Sequence, residues 1–383
     1  MRIIGSGVAA LLPLVAISCT GAAPSSASPS TTSPSPVATI NSPTPGSELA
    51  LLVSFPHGNA QGNTGYDLTL VATTGKTVAS THASARTFIG GNPSDVIVLP
   101  LPEVTASKTR AYYLDGDTDV RYLGADGSTG LATHVPGTAT AYAAFAVSPD
   151  DRRIAVAVFD FSKQPPTVRL YVEDMDGSHH ADIFSSSTDY VWPVGWHAGQ
   201  LVLASSNSPS AVAGNPYGAP TYHVVDPANA TRLATIGGYL GSRCAPVGPL
   251  SAAGTACYEQ PPGSSAFFAT LDWSGREGSL RLAVASGQES GALSADGSQL
   301  AGCCDNNGNV SILSSGGVSP SKLPGQDGVC WLDSGHLYNG PELPSTGTAQ
   351  VLDVRKNVSD AGTALTPIAA TGYCAGVLPQ DFG

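Results

Sequence analysis

Two distant stretches of this chain share one form, and that repetition constrains the fold more than any other feature. Phe145-Ala146-Val147-Ser148-Pro149-Asp150-Asp151-Arg152-Arg153-Ile154-Ala155-Val156 and Gly291-Ala292-Leu293-Ser294-Ala295-Asp296-Gly297-Ser298-Gln299-Leu300-Ala301-Gly302 each read as an apolar strand, a tight polar turn and a second apolar strand. Weaker copies begin at Pro193, Pro249 and Cys330. Asp and Gly suit such turns because both tolerate the left-handed backbone that a tight hairpin imposes. Each pair is succeeded by an equally regular segment: an alternating strand, an Asp/Gly turn and a fourth strand. Residues 168–173 alternate with period two, Asp174-Met175-Asp176-Gly177 turns, and Ala181-Asp182-Ile183-Phe184 returns. Segments 121–133 and 222–236 repeat the scheme. Four antiparallel strands per unit is the pattern of a propeller blade.

On these residues the chain resembles the TolB-like, WD40-like propellers with SPDG repeats found in exported bacterial proteins. The resemblance covers most of residues 48–383, and its motif specifies a turn and no chemistry. It implies an all-β fold, a β-propeller of four-stranded blades. Seven blades are expected, because dividing residues 48–383 by seven leaves about 48 per unit, inside the roughly 40 to 50 of propeller repeats. Six or eight blades are the alternatives, and a β-sandwich with a smaller β domain is the competing architecture. Composition agrees with an all-β chain: with 12% charged residues, 44 Gly and 30 Pro, there is little to cover the solvated faces of long helices. Residues 51–55 and 67–71 look like the second and third strands of a blade that lacks an inner strand, while 372–377 is an orphan strand. Pairing the orphan with the first blade closes the ring and removes exposed sheet edges.

The start of the chain carries an address. Met1-Arg2 and the apolar run from Ile3 to Ser18 form an export signal, residues 1–18. The run is broken by Gly5, Gly7 and Pro13 and falls short of the ~20 apolar residues a membrane span needs. Ala16-Ile17-Ser18-Cys19 resembles the bacterial lipobox, which implies a lipidated Cys19 as mature N-terminus, although Ala16 stands where that pattern has Leu; an ordinary signal peptide cleaved nearby, with Cys19 incidental, is the competing reading. Residues 20–46 hold 18 Ser, Thr or Pro in 27 positions, too polar to build a core. The expected organisation is therefore a signal peptide (1–18), a lipidated Cys and a Ser/Thr/Pro tether (19–47), and a propeller (48–383) held at the outer face of the cell membrane.

Beyond Cys19 there are six cysteines, Cys244, Cys257, Cys303, Cys304, Cys330 and Cys374, an even number that in an exported chain reads as three disulfides. Zinc competes poorly because no CxxC pair exists. Six cysteines allow fifteen pairings. Cys244 with Cys257 is the best single guess, across a hairpin turning at Ser251-Ala252-Ala253-Gly254. Cys303 and Cys304, neighbours on a strand, should point to opposite faces.

A net charge of -12 without a basic run argues against nucleic acid. Asp115-Gly116-Asp117-Thr118-Asp119 with Asp126 has the spacing of a calcium loop. Val120 replaces the turn Gly and Asp126 the bidentate Glu, so a plain hairpin is expected there, as at Asp305-Asn306-Asn307-Gly308-Asn309. Nucleophile elbows, HExxH helices and phosphate loops are missing from the sequence. His179 and His180 read as solvated, and Trp196 and Trp331, alike in their repeats, as inter-blade packing. Tyr190 and Trp192 are the candidate binding residues. The expected function is non-catalytic binding of an envelope protein or glycan, without cofactor or metal and touching the membrane only through the lipid. The alternative is an extracytoplasmic propeller enzyme, a hydrolase or lyase acting on glycans or peptides.

Overall fold

The computed structural model describes residues 48–54, 65–86, 104–208, 221–238, 244–284, 290–303, 309–314, 317–324, 328–341, 349–355, 365–370 and 372–379. The expected signal peptide, lipidated Cys19, tether and Cys304 lie outside them, as do residues 305–308.

Seven four-stranded antiparallel sheets form the blades of the ring. Blade 1 holds β1 (Leu49–Val53), β2 (Tyr66–Ala72) and β3 (Thr77–Ala83); blade 2 holds β4 (Val104–Ala106), β5 (Arg110–Asp115), β6 (Asp119–Gly124) and β7 (Thr129–His134). Blade 3 is β8 (Ala141–Val147), β9 (Arg153–Asp160), β10 (Thr167–Asp174) and β11 (Ala181–Ser186); blade 4 is β12 (Tyr190–His197), β13 (Gln200–Ser206), β14 (Thr221–Val225) and β15 (Arg232–Gly237). Blade 5 is β16 (Ala245–Ser251), β17 (Gly254–Glu259), β18 (Phe267–Leu271) and β19 (Leu282–Ala283); blade 6 is β20 (Ser290–Leu293), β21 (Gln299–Cys303), β22 (Asn309–Ser314) and β23 (Gly317–Pro324). Blade 7 is β24 (Gly328–Asp333), β25 (His336–Gly340), β26 (Gln350–Asp353) and β27 (Leu365–Pro367), after which β28 (Tyr373–Leu378) crosses to pair with β1.

The orphan strand thus becomes the inner strand of blade 1, giving the order β28-β1-β2-β3. Leu49 faces Leu378 and Val53 faces Tyr373. A disulfide reinforces this seam: Cys374 on β28 is bonded to Cys330 on β24, with Cα atoms 6.3 Å apart. Tyr338 of blade 7 adds a buried hydrogen bond to the Gly372 carbonyl, 2.5 Å. The Cys244–Cys257 pairing expected from the hairpin is present, Cα to Cα 5.3 Å, with Pro246 facing Cys257 across the turn. Cys303 is also disulfide-bonded.

Strand sequences follow burial. Inner strands are covered on both faces, so β8 reads Ala-Tyr-Ala-Ala-Phe-Ala-Val with nearly every residue buried, while outer β11 is half exposed. Core clusters lie between successive blades, as where Phe159, Tyr190, Trp192, Trp196 and Tyr222 meet.

Because consecutive strands alternate direction, the connections divide between two ends of the ring. First-to-second and third-to-fourth strand turns gather at one, here the turn face; second-to-third and blade-to-blade connections gather at the other, the loop face.

Candidate functional site

Turn-face chemistry is repeated from blade to blade. In blade 3 the Ser148 hydroxyl donates to Asp150 Oδ1 (2.7 Å) and accepts from the Arg153 amide (2.9 Å). Ser294 of blade 6 makes the same pair of bonds with Asp296 (2.7 Å) and the Gln299 amide (3.0 Å). Buried serine and turn aspartate are thus the physical content of the repeat: one hydroxyl pins both arms of the turn. Blade 2 holds a copy that the sequence does not advertise, since Ser107 accepts from the Thr109 and Arg110 amides (3.1 and 3.0 Å) without a following Asp-Gly. In blade 4 the turn is Ala198-Gly199, both with positive φ (47° and 74°), as a two-residue type I′ hairpin demands.

Third-to-fourth turns use aspartate similarly. Asp126, Asp176 and Asp272 each accept the amide two residues on, at 2.9 Å. Hydrogen bonds from Ser128 and Ser178 hold the Asp126 and Asp176 carboxyls below their ordinary range. For Asp150, Asp272 and Asp296, burial pushes upward, but the serine and amide hydrogen bonds outweigh it and the net shift is downward.

Trp196 and Trp331 pack between blades as expected. The Trp196 indole donates to the Ala146 carbonyl (3.1 Å) and that of Trp331 to the Ala292 carbonyl (3.0 Å). In both cases the acceptor stands two residues before the turn serine of the preceding blade. Within blade 5, Trp273 donates to Ser251 O (3.0 Å).

Four of these turn-face ends enclose a cavity of about 260 Å³. Blade 5 contributes Pro249, Leu250 and Ala252, blade 6 Leu293 and Ala295, blade 7 Trp331 and Leu332, and the closing strand Val377 with Pro379 after it. Glu48, Ser251, Asp333 and Ser334 are its polar members. A bend in β16 helps to shape it: Gly248, at φ 71°, passes so close to Gly291 of blade 6 that a Cβ there would lie 1.8 Å from the Gly291 carbonyl oxygen. Only glycine fits that approach. Elsewhere, Val104, Thr105, Val194, Leu250 and Ala375, drawn from four inner strands, enclose a space of about 20 Å³, room for about one water.

At the cavity rim Asp333 accepts from the Gly335 amide (2.6 Å) and pairs with His336 Nδ1 (2.8 Å). Arg355 sits behind them, 3.0 Å from His336 Nε2 and 3.0 Å from Asp353 Oδ1. An arginine can only donate, so this arrangement places the His336 proton on Nδ1, toward Asp333.

The remaining sequence candidates lie elsewhere. Tyr190 and Trp192 are adjacent in the blade 3–blade 4 core, each 3% exposed. Tyr190 donates to the Pro166 and Ser187 carbonyls (3.0 and 3.1 Å), tying two loop-face connections together. The Trp192 Nε1 is buried without a hydrogen-bond partner. Asp115 and Asp119 face each other across the β5–β6 hairpin, and Asp126 lies at the far end of β6, so the calcium spacing does not close into one loop. His179 pairs with Asp174 (2.6 Å) and His180 with Glu173 (2.7 Å), both exposed. Among the described residues, no group of three or more His, Cys, Asp or Glu is able to hold a metal ion, and no helix is long and apolar enough to cross a membrane. The cavity was not legible from sequence, since its walls come from turns spread between residues 48 and 379.

No protein-family model matches the chain, and no curated protein matches its sequence. Solved structures do match. An oligogalacturonate lyase in complex with manganese aligns with a TM-score of 0.51 at 10% identity, covering 77% of this chain and 84% of that one. An oligogalacturonate lyase from Vibrio parahaemolyticus reaches 0.45 at 8% identity, covering 76% and 88%. TolB from Acinetobacter baumannii reaches 0.41 at 17% identity, covering 73% and 64%. At such identities the first likeness shows the propeller fold and nothing of activity; the other two, below 0.5, carry no argument.

Proposed function

We propose that this protein is an exported lipoprotein, anchored through Cys19 at the outer face of the cell membrane, whose seven-bladed ring binds an envelope protein or glycan without transforming it. The observation that carries the reading is the cavity at the turn face, a concave, largely apolar site set on rigid hairpins, the kind of place where recognition occurs on scaffolds of this type. The export signal, the Ser/Thr/Pro tether and the disulfides support the compartment. In this reading Tyr190 and Trp192 support the loop-face connections from below, and residues lining the cavity make the contact.

The test is chemical cross-linking in intact envelopes followed by mass spectrometry, with the purified ring assayed in parallel against glycan, peptide and ester substrates. A specific cross-linked partner and no turnover are expected. Turnover at an enzyme-like rate, abolished by one carboxylate, His or Ser substitution in a ring that stays folded, would replace binding with catalysis. Palmitate labelling that vanishes in Cys19→Ser tests the anchor; an unlabelled parent removes it.

A further inference from the structure

The cavity is selective in what it can accept. Its volume, about 260 Å³, falls below the roughly 300 to 1,000 Å³ of sites that enclose whole small molecules, so its natural content is one or two side chains. Pro249, Leu250, Ala252, Leu293, Trp331 and Val377 give those side chains an apolar wall. A sugar ring would bring several hydroxyls that need partners when buried, yet of the four polar members Ser251 already donates to the Gly254 carbonyl (3.1 Å) and Asp333 is engaged by Gly335 and His336, so Ser334 and Glu48 would have to serve them all. Arg355, behind this rim, is held by Asp353. Glu48 brings a second carboxylate to the lining beside Asp333, and the chain as a whole carries a net charge of -12.

Resting on the binding reading above, we propose that the cavity receives an apolar side chain of a protein partner, presented next to a lysine or arginine whose charge meets Glu48. Burial of the apolar group supplies affinity, and the exposed ion pair supplies discrimination of modest size. Partner specificity then lies in a two-residue apolar-basic signature displayed on an exposed segment.

The experiment uses the full folded chain and calorimetry with two blocked tetrapeptides, glycine-phenylalanine-lysine-glycine and its glutamate counterpart, beside maltotetraose. The lysine peptide should bind about three- to fivefold more tightly than the glutamate peptide, the range expected of an exposed ion pair. Glu48→Gln should erase that difference, and Ala295→Trp, at an exposed turn position, should fill the cavity and abolish binding while the circular dichroism spectrum is kept. Equal binding of the two peptides, unchanged binding by Ala295→Trp, or binding of maltotetraose alone would overturn the proposal. The broader reading is tested apart from it: a partner cross-linked equally by parent and Ala295→Trp means that the ring binds elsewhere, whereas no cross-linked partner for either defeats the binding reading itself.

Discussion

The two ends of the ring are built by different rules. At the turn face, first-to-second strand turns span two to five residues, and their shape is set by a serine or aspartate bonding to amides within the same few residues. At the loop face, local turns such as that at Ser186 occur as well, and long-range bonds join separate connections: Tyr190 reaches Pro166, and Tyr66 donates to the Leu114 carbonyl at 2.5 Å. β12 carries this contrast in a single strand. Trp196, toward the turn face, donates to the neighbouring blade, while Trp192, on the loop-face side, has a buried donor with no acceptor. Locally coded hairpins repeat accurately. Surfaces assembled from distant segments leave room for an unsatisfied group, and for variation.

The contrast exists only while the ring is closed, so the largest effect comes from opening it. Deleting residues 371–383 removes β28 and exposes an edge on β1 together with the apolar faces of blades 1 and 7; cooperative melting should be lost, as followed by calorimetry. A deletion that melts like the parent would refute the closure. Next in size is the pair within β12. Trp196→Phe strands the buried Ala146 carbonyl and should cost about 2 to 3 kcal/mol in urea unfolding, whereas Trp192→Phe removes a donor that had no partner and should stay within about 1 kcal/mol of the parent. Equal losses would erase the distinction between the two ends.

Smaller again is the serine series. Ser148→Ala or Ser294→Ala loses two bonds at a buried hydroxyl and should cost about 1 to 2 kcal/mol, while Ser186→Ala, whose exposed hydroxyl accepts from Thr188 and Asp189 amides, should cost a few tenths. The finest test is acid. Turn carboxylates such as Asp126, Asp150 and Asp296 have folded pKa values lowered from the usual carboxylate value. The unfolded chain therefore binds protons first as pH falls, and the stability they lend is complete above the unfolded value and lost below it. His223 acts in the same sense at higher pH: burial lowers it to about 4, so its contribution fades between about 6.5 and 4. In His223→Gln the loss of stability across that upper window should be smaller than in the parent, with the fall in the carboxylate range kept, as read by urea unfolding at each pH.

Most of the fold was legible because blades are sequence-local. The turn at Ser294-Ala295-Asp296-Gly297 is written in adjacent letters, and the period-two pattern of β10 identifies a strand without help from the rest of the chain. Even ring closure was readable, since β1 lacked an inner neighbour and β28 lacked a blade. The Ser107 turn is silent in the sequence because its backbone geometry is reached without glycine. The candidate site was illegible for a deeper reason: Leu250, Leu293, Trp331 and Val377 are ordinary inner-strand residues until the ring brings their ends together. Tyr190 and Trp192 stood out by aromatic density, but density alone does not separate a surface from a core.

The Cys330–Cys374 bond also decides how this molecule bears a pull. Tension delivered through the chain before Glu48 arrives at β1, a strand held on one side by β2 and on the other by β28. Without the bond, β28 would be the weak member, attached to the ring at one end by the backbone that comes after β27. With it, the load passes sideways from β1 into β28 and through a covalent link to the inner strand of blade 7, so two blades share it. The seam where the first and last strands meet is thereby turned from the place a ring would tear first into a spliced joint.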